Sequence, residues 1–199
     1  MASPKPNARQ VIEPYGSYTR PLATILKMIF TSDIEIIKKL ELKFIRIDKT
    51  EFDWTTEYIN PEDDSKWLKL RLRSEYHGGG YPVMMKKTGI STDFLIKIIL
   101  SSDNIEQISV GSALLEYFES SDRIEFRTKL IDSLEKHYSI ENNRTDEFEK
   151  LRLQSIIENS TIYDDTNRRE IVGKNDAEIT ADYYYFKKIA ERTEKLQEL

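Results

Sequence analysis

The spacing of apolar residues in this chain changes at the triplet Gly78-Gly79-Gly80. Before the triplet they recur mostly at every second position, and after it they recur every three or four positions. A period of two is typical of half-buried strands, and a period near 3.6 is typical of amphipathic helices. The sequence therefore predicts an α+β fold, in which a small antiparallel sheet of three or four strands packs with a helical C-terminal half. The triplet is predicted to join the two.

Proline and apolar content divide the chain into an arm and a single domain. Residues 1–21 contain four prolines, and each fixes φ and removes a backbone donor. This stretch is therefore predicted to be an extended or disordered arm. Residues 22–199 are predicted to form one α+β domain, with a helix and the sheet in residues 22–88 and the helical part in residues 89–199. The predicted first helix covers residues 22–31.

Alternating apolar and polar residues predict three strands, at residues 40–47, 52–58 and 68–73. The stretches are rich in Trp, Tyr, Phe and Thr, which favour strands. Residues 33–47 also fit a single helix, since their apolar residues recur at helical spacing as well. A short apolar run does not separate these alternatives. The strand is the preferred interpretation of residues 40–47.

Aromatic and charged residues predict how these strands pair. Folding the second strand onto the third about the polar turn at residues 62–64 brings apolar residues together on one face and opposite charges together on the other. Opposite charges across a strand pair contribute about 0.2–1 kcal/mol each. Residues 81–85 are predicted to add a short edge strand. The predicted pairs are Trp54–Leu72, Tyr58–Leu68, Glu57–Lys69 and Asp53–Arg73, together with Phe44–Trp54 and Leu40–Tyr58 between the first two strands.

Capping residues precede the apolar stretches of the C-terminal half. Ser, Thr, Asp and Asn accept hydrogen bonds from the free N–H groups of a first helical turn, and a Glu three residues later completes a capping box. A polar loop is predicted over residues 159–175. The predicted capping residues are Ser91 or Thr92, Asp103, Asp122 and Asn175, with a further helix from Thr145 to about Glu158 and a cap at Asp33 in the N-terminal half.

Two neighbouring apolar stretches resemble a known family. Residues 94–103 have the sequence FLIKIILSSD, a helix followed by a turn, and residues 108–115 have the sequence ISVGSALL, a helix whose small residues allow close packing. Residues 92–135 thus resemble HEAT-type helical repeats. No second copy follows at a fixed period, so the resemblance implies local HEAT-like packing rather than a solenoid. It also implies a surface that binds proteins.

The net charge of −5 is unevenly distributed. Residues 1–80 carry 13 Lys/Arg against 12 Asp/Glu, whereas residues 81–199 carry 17 against 23. Nucleic-acid binding requires clustered cations, so no nucleic-acid partner is predicted. The sequence has no cysteine, no apolar leader and no run of about 20 apolar residues, which predicts a cytoplasmic protein that does not enter a membrane.

One string matches a catalytic motif, but its partner is missing. His77-Gly78-Gly79-Gly80 is similar to the HGGG loop whose backbone amides form the oxyanion hole of some hydrolases. That chemistry also needs a G-x-S-x-G nucleophile elbow, which this sequence lacks. The second histidine, His137, is about sixty residues away, and no phosphate-binding loop is present. The sequence therefore predicts a protein that is not an enzyme and has no metal or cofactor.

Acidic residues near a predicted helix junction are the candidate partner-binding site. They would attract a basic protein and speed its association. An aromatic run, Tyr183-Tyr184-Tyr185-Phe186, points in several directions on a helix, and Tyr184 is its candidate contact. A small, acidic, cysteine-free α+β protein is similar in character to the immunity proteins that mask bacterial toxins, which implies a basic toxin domain as partner. The candidate acidic residues are Glu116, Glu119, Asp122 and Glu125.

Two alternatives remain open at this level. The protein binds a small molecule, or acts as an enzyme, through a pocket at the Gly78–Gly80 joint, or it is a structural adaptor subunit. The residues predicted to line such a pocket are Arg73, Tyr76, His77 and Tyr81.

Overall fold

A computed structural model describes most of the chain, in four stretches. Several predictions lie outside the described residues: the arm at residues 1–21, residues 22–28 of the first helix, and residues 52–54 of the second strand. Tyr76 and His77 lie outside them as well. The described residues are 29–47, 55–74, 79–139 and 146–198.

The described residues form an antiparallel sheet and six helices, which confirms the α+β class. The sheet has five strands in the order β1-β5-β4-β3-β2, one more than the three or four predicted. The strands are β1 (Phe30–Thr31), β2 (Ile45–Arg46), β3 (Thr56–Ile59), β4 (Lys66–Leu72) and β5 (Tyr81–Lys86). The helices are α1 (Ile34–Lys43), α2 (Thr92–Ser101), α3 (Ile105–Asp122), α4 (Arg127–His137), α5 (Glu147–Ser160) and α6 (Asp176–Gln197).

Both faces of the sheet are covered. Leu70, Leu72 and Val83 belong to a core shared with the C-terminal helices. Trp67 and Met84 point to the opposite face, where they form a smaller core with α1. The sheet is therefore the middle of three layers. In β5, the neighbouring residues Val83 and Met84 are buried on opposite sides of the sheet, so the apolar residues of this strand are not confined to alternate positions.

Residues 34–43 are a helix, so the preferred strand prediction for residues 40–47 was wrong over most of its length. The Asp33 side chain caps this helix by accepting hydrogen bonds from the N–H groups of Glu35 and Ile36, at 2.9 and 3.2 Å. Burial explains why the helix forms: as a helix, α1 packs its apolar side chains Ile36, Ile37 and Leu40 against the second face of the sheet. Only Ile45–Arg46 forms a strand.

The predicted register of β3 and β4 was wrong by one residue. Tyr58 lies opposite Trp67, and Glu57 lies opposite Leu68. Tyr58 and Trp67 share the face that α1 covers, so this register buries both aromatic residues. The predicted pair Glu57–Lys69 is replaced by Glu57–Lys87 and by Glu41–Lys69, the latter at 2.7 Å, whereas Asp53 of the predicted pair Asp53–Arg73 lies outside the described residues. Between β2 and β3 the pairs are Ile45–Ile59 and Arg46–Tyr58, so the predicted Leu40–Tyr58 pair was wrong. Trp54 of the predicted Phe44–Trp54 and Trp54–Leu72 pairs lies outside the described residues.

Residues 81–85 were predicted to form an edge strand, but β5 lies inside the sheet. It pairs with β4 on one side and with β1 on the other, and Val83 and Met84 are fully buried. Phe30 and Thr31, predicted as the end of a helix, form the neighbouring edge strand β1. The central place of β5 explains why this stretch is almost wholly apolar.

The change of period predicted that the glycine triplet joins the sheet to the helices, and this prediction was wrong for Gly79 and Gly80, the two described residues of the triplet. Gly79 and Gly80 lie in the connection between β4 and β5, two neighbouring strands of the same sheet. The Arg71 guanidinium donates to the Gly80 carbonyl at 3.0 Å, which holds the connection against β4. The passage from strands to helices comes later, at residues 87–91.

In the C-terminal half, helix starts follow the predicted positions at three of five places. Ser91 caps α2 and Asn175 caps α6, while α5 begins after Asp146, close to the predicted Thr145. Asn104, not Asp103, caps α3. Asp122 is the last residue of α3, and α4 starts after Phe126 without a side-chain cap, so the cap predicted at Asp122 was wrong. The HEAT-like character of α2 and α3 stays a prediction.

Replacing Asn175 with alanine is expected to destabilise the protein by about 1 kcal/mol. Asn175 forms a complete capping box, because its side chain accepts from the Glu178 N–H at 3.0 Å and its own N–H donates to the Glu178 carboxylate at 2.9 Å. Urea unfolding measures the change. Gln197→Ala, at the exposed far end of the same helix, is the control, and an equal loss in both variants would contradict the prediction.

Candidate functional site

A cleft of about 560 Å³ lies between the sheet and the C-terminal end of α3. We call it the sheet–helix cleft. Its volume is in the range of natural ligand and side-chain pockets. Apolar side chains dominate its lining, and polar groups stand at its margin. The lining residues are Leu68, Met85, Lys87, Ile90, Ser91, Thr92, Tyr117, Phe118, Asp122 and Ile124.

The floor of the cleft comes from the sheet and one wall from the end of α3. Leu68 and Met85 form a register pair on neighbouring strands, so their side chains share one face. α3 ends in a left-handed C-terminal motif, since Arg123 adopts φ 58° and the Ile124 N–H donates to the Phe118 carbonyl at 3.1 Å. This motif brings Ile124 back over Phe118, and both residues line the cleft.

Asp122 is a charged lining residue of the cleft that forms no ion pair with any described residue. No cation among the described residues lies within ion-pair distance of its carboxylate, which is exposed to solvent. Lys87, the other charged lining residue, is paired with Glu57. Burial raises the pKa of the Tyr117 phenol, and the nearby Asp122 charge raises it further. Asp122 therefore acts electrostatically on the interior of the cleft.

Glu119, a predicted partner-binding residue, is instead buried in an internal ion pair. Its side chain is 7% exposed, and its carboxylate lies 3.0 Å from the Nε of Arg127, whose side chain is 0% exposed. Arg127 also donates to the carbonyls of Thr161 and Asp164, at 3.2 and 2.9 Å. Burial raises the pKa of Glu119, while the Arg127 charge opposes that rise. This carboxylate is held inside the protein.

Glu116 and Glu125 are also neutralised by arginines of the described chain. Glu125 lies 2.6 Å from Arg169, and Glu116 lies 3.6 Å from Arg168. Arg169 further contacts the Asp182 carboxylate at 2.8 Å. These contacts tie the end of α3 to the loop over residues 161–175. Of the four predicted acidic residues, Asp122 alone lines the sheet–helix cleft and lacks a described ion pair.

The remaining candidates lie elsewhere. Tyr184 is 61% exposed on α6, where its ring makes an edge-to-face contact with Tyr183 at 5.5 Å between centroids. Arg73 donates to the Glu158 carbonyl at 2.7 Å. Burial raises the pKa of Tyr81, while Arg73 nearby lowers it. Neither Arg73 nor Tyr81 lines the sheet–helix cleft, and the pocket predicted at the glycine triplet stays a prediction.

Sequence reasoning missed the apolar lining of the cleft. Its members come from two strands, a connection and a helix end, so no single stretch of sequence displays them together. One local signal was present: Phe118 and Ile124 are apolar residues six positions apart across a polar helix end, a spacing at which apolar residues contact each other around left-handed helix ends.

The described stretches hold neither a cluster of metal-binding side chains nor a membrane-spanning helix. Within them, no three or more His, Asp or Glu side chains are placed to hold a metal ion. None of their helices has the length and apolar character needed to cross a membrane. His137 contacts the Glu149 carboxylate at 3.2 Å and the ring of Tyr138, so its side chain has a structural role.

A scan against protein-family models, a search of curated proteins and a search of solved structures each found no match to this chain.

Proposed function

We propose that this chain is a non-catalytic protein-binding protein, and that a side chain of its partner enters the sheet–helix cleft. The observation that carries the proposal is the lining of the cleft. Met85, Tyr117 and Phe118 are of the residue types enriched at protein interfaces, and they lie beside an exposed isoleucine, Ile124.

The openness of the cleft favours a protein over a small molecule. A small-molecule site usually buries most of its ligand. Here Lys87, Ser91, Asp122 and Ile124 are all exposed, so the cleft opens to solvent along its margin. A partner protein would cover that margin while one of its side chains fills the cleft, and the covered apolar area would stabilise the complex.

We propose that the biological role of this binding is to neutralise a toxin. An immunity protein acts by covering a functional surface of its toxin and needs no catalytic group of its own. The acidic C-terminal half supports this form, because complementary charge speeds the encounter with a basic toxin domain.

Replacing Ile124 with alanine is expected to weaken partner capture at least about fivefold, because it removes an apolar contact at the margin of the cleft. The immobilised protein is incubated at low salt with an extract of the cells that produce it, and captured proteins are identified by mass spectrometry. The partner is then purified, and its affinity is measured by calorimetry.

Leu151→Ala is the matched control, since Leu151 on α5 is 48% exposed and Ile124 is 45% exposed. Circular dichroism establishes that both variants fold. If every captured protein binds wild type, Ile124→Ala and Leu151→Ala equally well, the cleft is not the binding site and the proposal is wrong.

A further inference from the structure

We infer that the side chain that enters the sheet–helix cleft is basic, an arginine or lysine of the partner protein. This inference rests on the proposed function and adds the chemistry of the occupant. Three features of the cleft support it: an unpaired carboxylate, the negative end of a helix, and aromatic rings next to an apolar floor.

The first two features place negative potential at one margin of the cleft. The Asp122 carboxylate has no ion-pair partner among the described residues. It lies in the last turn of α3, which contains no basic residue. The C-terminal end of a helix carries a partial negative charge, so a carboxylate there is unfavourable until a cation arrives. A basic group from outside the chain would relieve both charges at once.

The aromatic residues and the sheet suit the rest of such a side chain. Tyr117 and Phe118 make an edge-to-face contact with 5.8 Å between ring centroids, and both line the cleft. A guanidinium or ammonium group gains further energy from aromatic faces. Leu68 and Met85 provide an apolar floor for the methylene stem, which long basic side chains bury while keeping their charge near water.

The other charges around the cleft do not cancel this preference. The charge of Lys87 is neutralised by an ion pair with Glu57 across the sheet. Arg123 follows Asp122 directly, but its Nη1 donates to the Arg168 carbonyl at 3.0 Å, on the side of the loop over residues 161–175. An acidic occupant would meet Asp122 and the end of α3 together and would be repelled.

Two blocked dipeptides test the inference directly. Acetyl-leucyl-arginine amide and acetyl-leucyl-citrulline amide have nearly the same shape, but the second has no charge. Each is titrated at low ionic strength into the ¹⁵N-labelled full-length protein. We expect the arginine peptide to bind about tenfold more tightly, and to shift the amide signals of residues 87–92 and 117–124.

Two variants assign the preference to Asp122. Asp122→Asn is expected to remove the tenfold difference between the peptides. Asp103→Asn should keep it, because this exposed aspartate lies beyond the opposite end of α3, about 27 Å away by helix geometry.

Each failure has its own meaning. Equal affinity for the two peptides, or no shift in the cleft at roughly 10 mM peptide, would overturn the basic occupant. Argininamide binding as tightly as the dipeptide would overturn the protein source in favour of a small basic molecule. Capture that does not depend on Ile124 would instead disprove the proposed function, whatever the peptides do.

Discussion

Replacing Arg127 with methionine is expected to lower the free energy of unfolding by about 3–5 kcal/mol at neutral pH. The substitution keeps an apolar stem of similar length but leaves the buried Glu119 carboxylate without its cation. It also removes the donor to the Thr161 and Asp164 carbonyls, which holds the loop after α5 in place. A buried charge that loses its partner is among the costliest defects in a folded protein.

The loss should depend on pH in a defined direction. Burial already raises the pKa of Glu119 above its ordinary value of 4.5, and without Arg127 nothing as close opposes that rise. A pKa raised by folding stabilises the folded state fully below the unfolded-state pKa, and this stabilisation disappears as pH rises through the folded-state pKa. The deficit of Arg127→Met relative to wild type should therefore be smaller near about pH 5 than near about pH 8.

Urea unfolding at the two pH values measures both effects. Adding Glu119→Gln to Arg127→Met should recover part of the loss, because the uncompensated charge is then absent. Arg192→Met is the control: Arg192 pairs with Asp132 and Glu135 at 2.6 and 2.7 Å near the surface, where such pairs contribute up to about 1 kcal/mol. Equal losses for Arg127→Met and Arg192→Met would show that burial of the pair is unimportant.

Replacing Gly80 with alanine is expected to cost roughly 2–4 kcal/mol. Gly80 has φ +64°, and a Cβ there would lie 2.0 Å from the Leu72 carbonyl oxygen. That oxygen belongs to the backbone of β4, so the clash cannot be relieved by turning a side chain. The connection between β4 and β5 would have to shift, and the central pairing of the sheet would shift with it.

Gly89→Ala separates the clash from the conformational strain. Gly89 also has a positive φ, +87°, but nothing lies within 4 Å of the position that its Cβ would take. Its replacement should cost only about 1–2 kcal/mol, the strain of a left-handed residue. Thermal or urea unfolding compares the stabilities of the two variants. If Gly80→Ala loses no more stability than Gly89→Ala, the close approach to the Leu72 carbonyl does not contribute to the cost.

The helix starts at Ser91, Asp146 and Asn175 were predictable to within about a residue because their signals are local. The cap at Asp122 failed for a tertiary reason: α3 continues through that residue and ends in a left-handed Arg123 packed by Ile124 over Phe118. The strand register failed similarly. The alternating leucines of β4 occupy one face, and the burial of Tyr58 and Trp67 beneath α1 decides the pairing.

The candidate site divides in the same way. A cluster of carboxylates could be found in the sequence, but their partners could not. Arg169 meets Glu125 from 44 residues away, and Arg127 meets Glu119 because α4 folds back beside the end of α3. These contacts bury Glu119, pair the exposed Glu125 with an arginine, and leave Asp122 beside an apolar cleft.

By itself, the sequence determined the α+β class, the helical character of the C-terminal half and most helix starts. These depend on periodicity and hydrogen bonds that extend over about four residues. Tertiary structure alone decided that α1 is a helix covering the second face of the sheet, that Gly79 and Gly80 lie in a strand connection, and that Asp122 has no ion pair among the described residues. Burial on two faces and ion pairing across the fold arise from elements distant in sequence, so no local pattern specifies them.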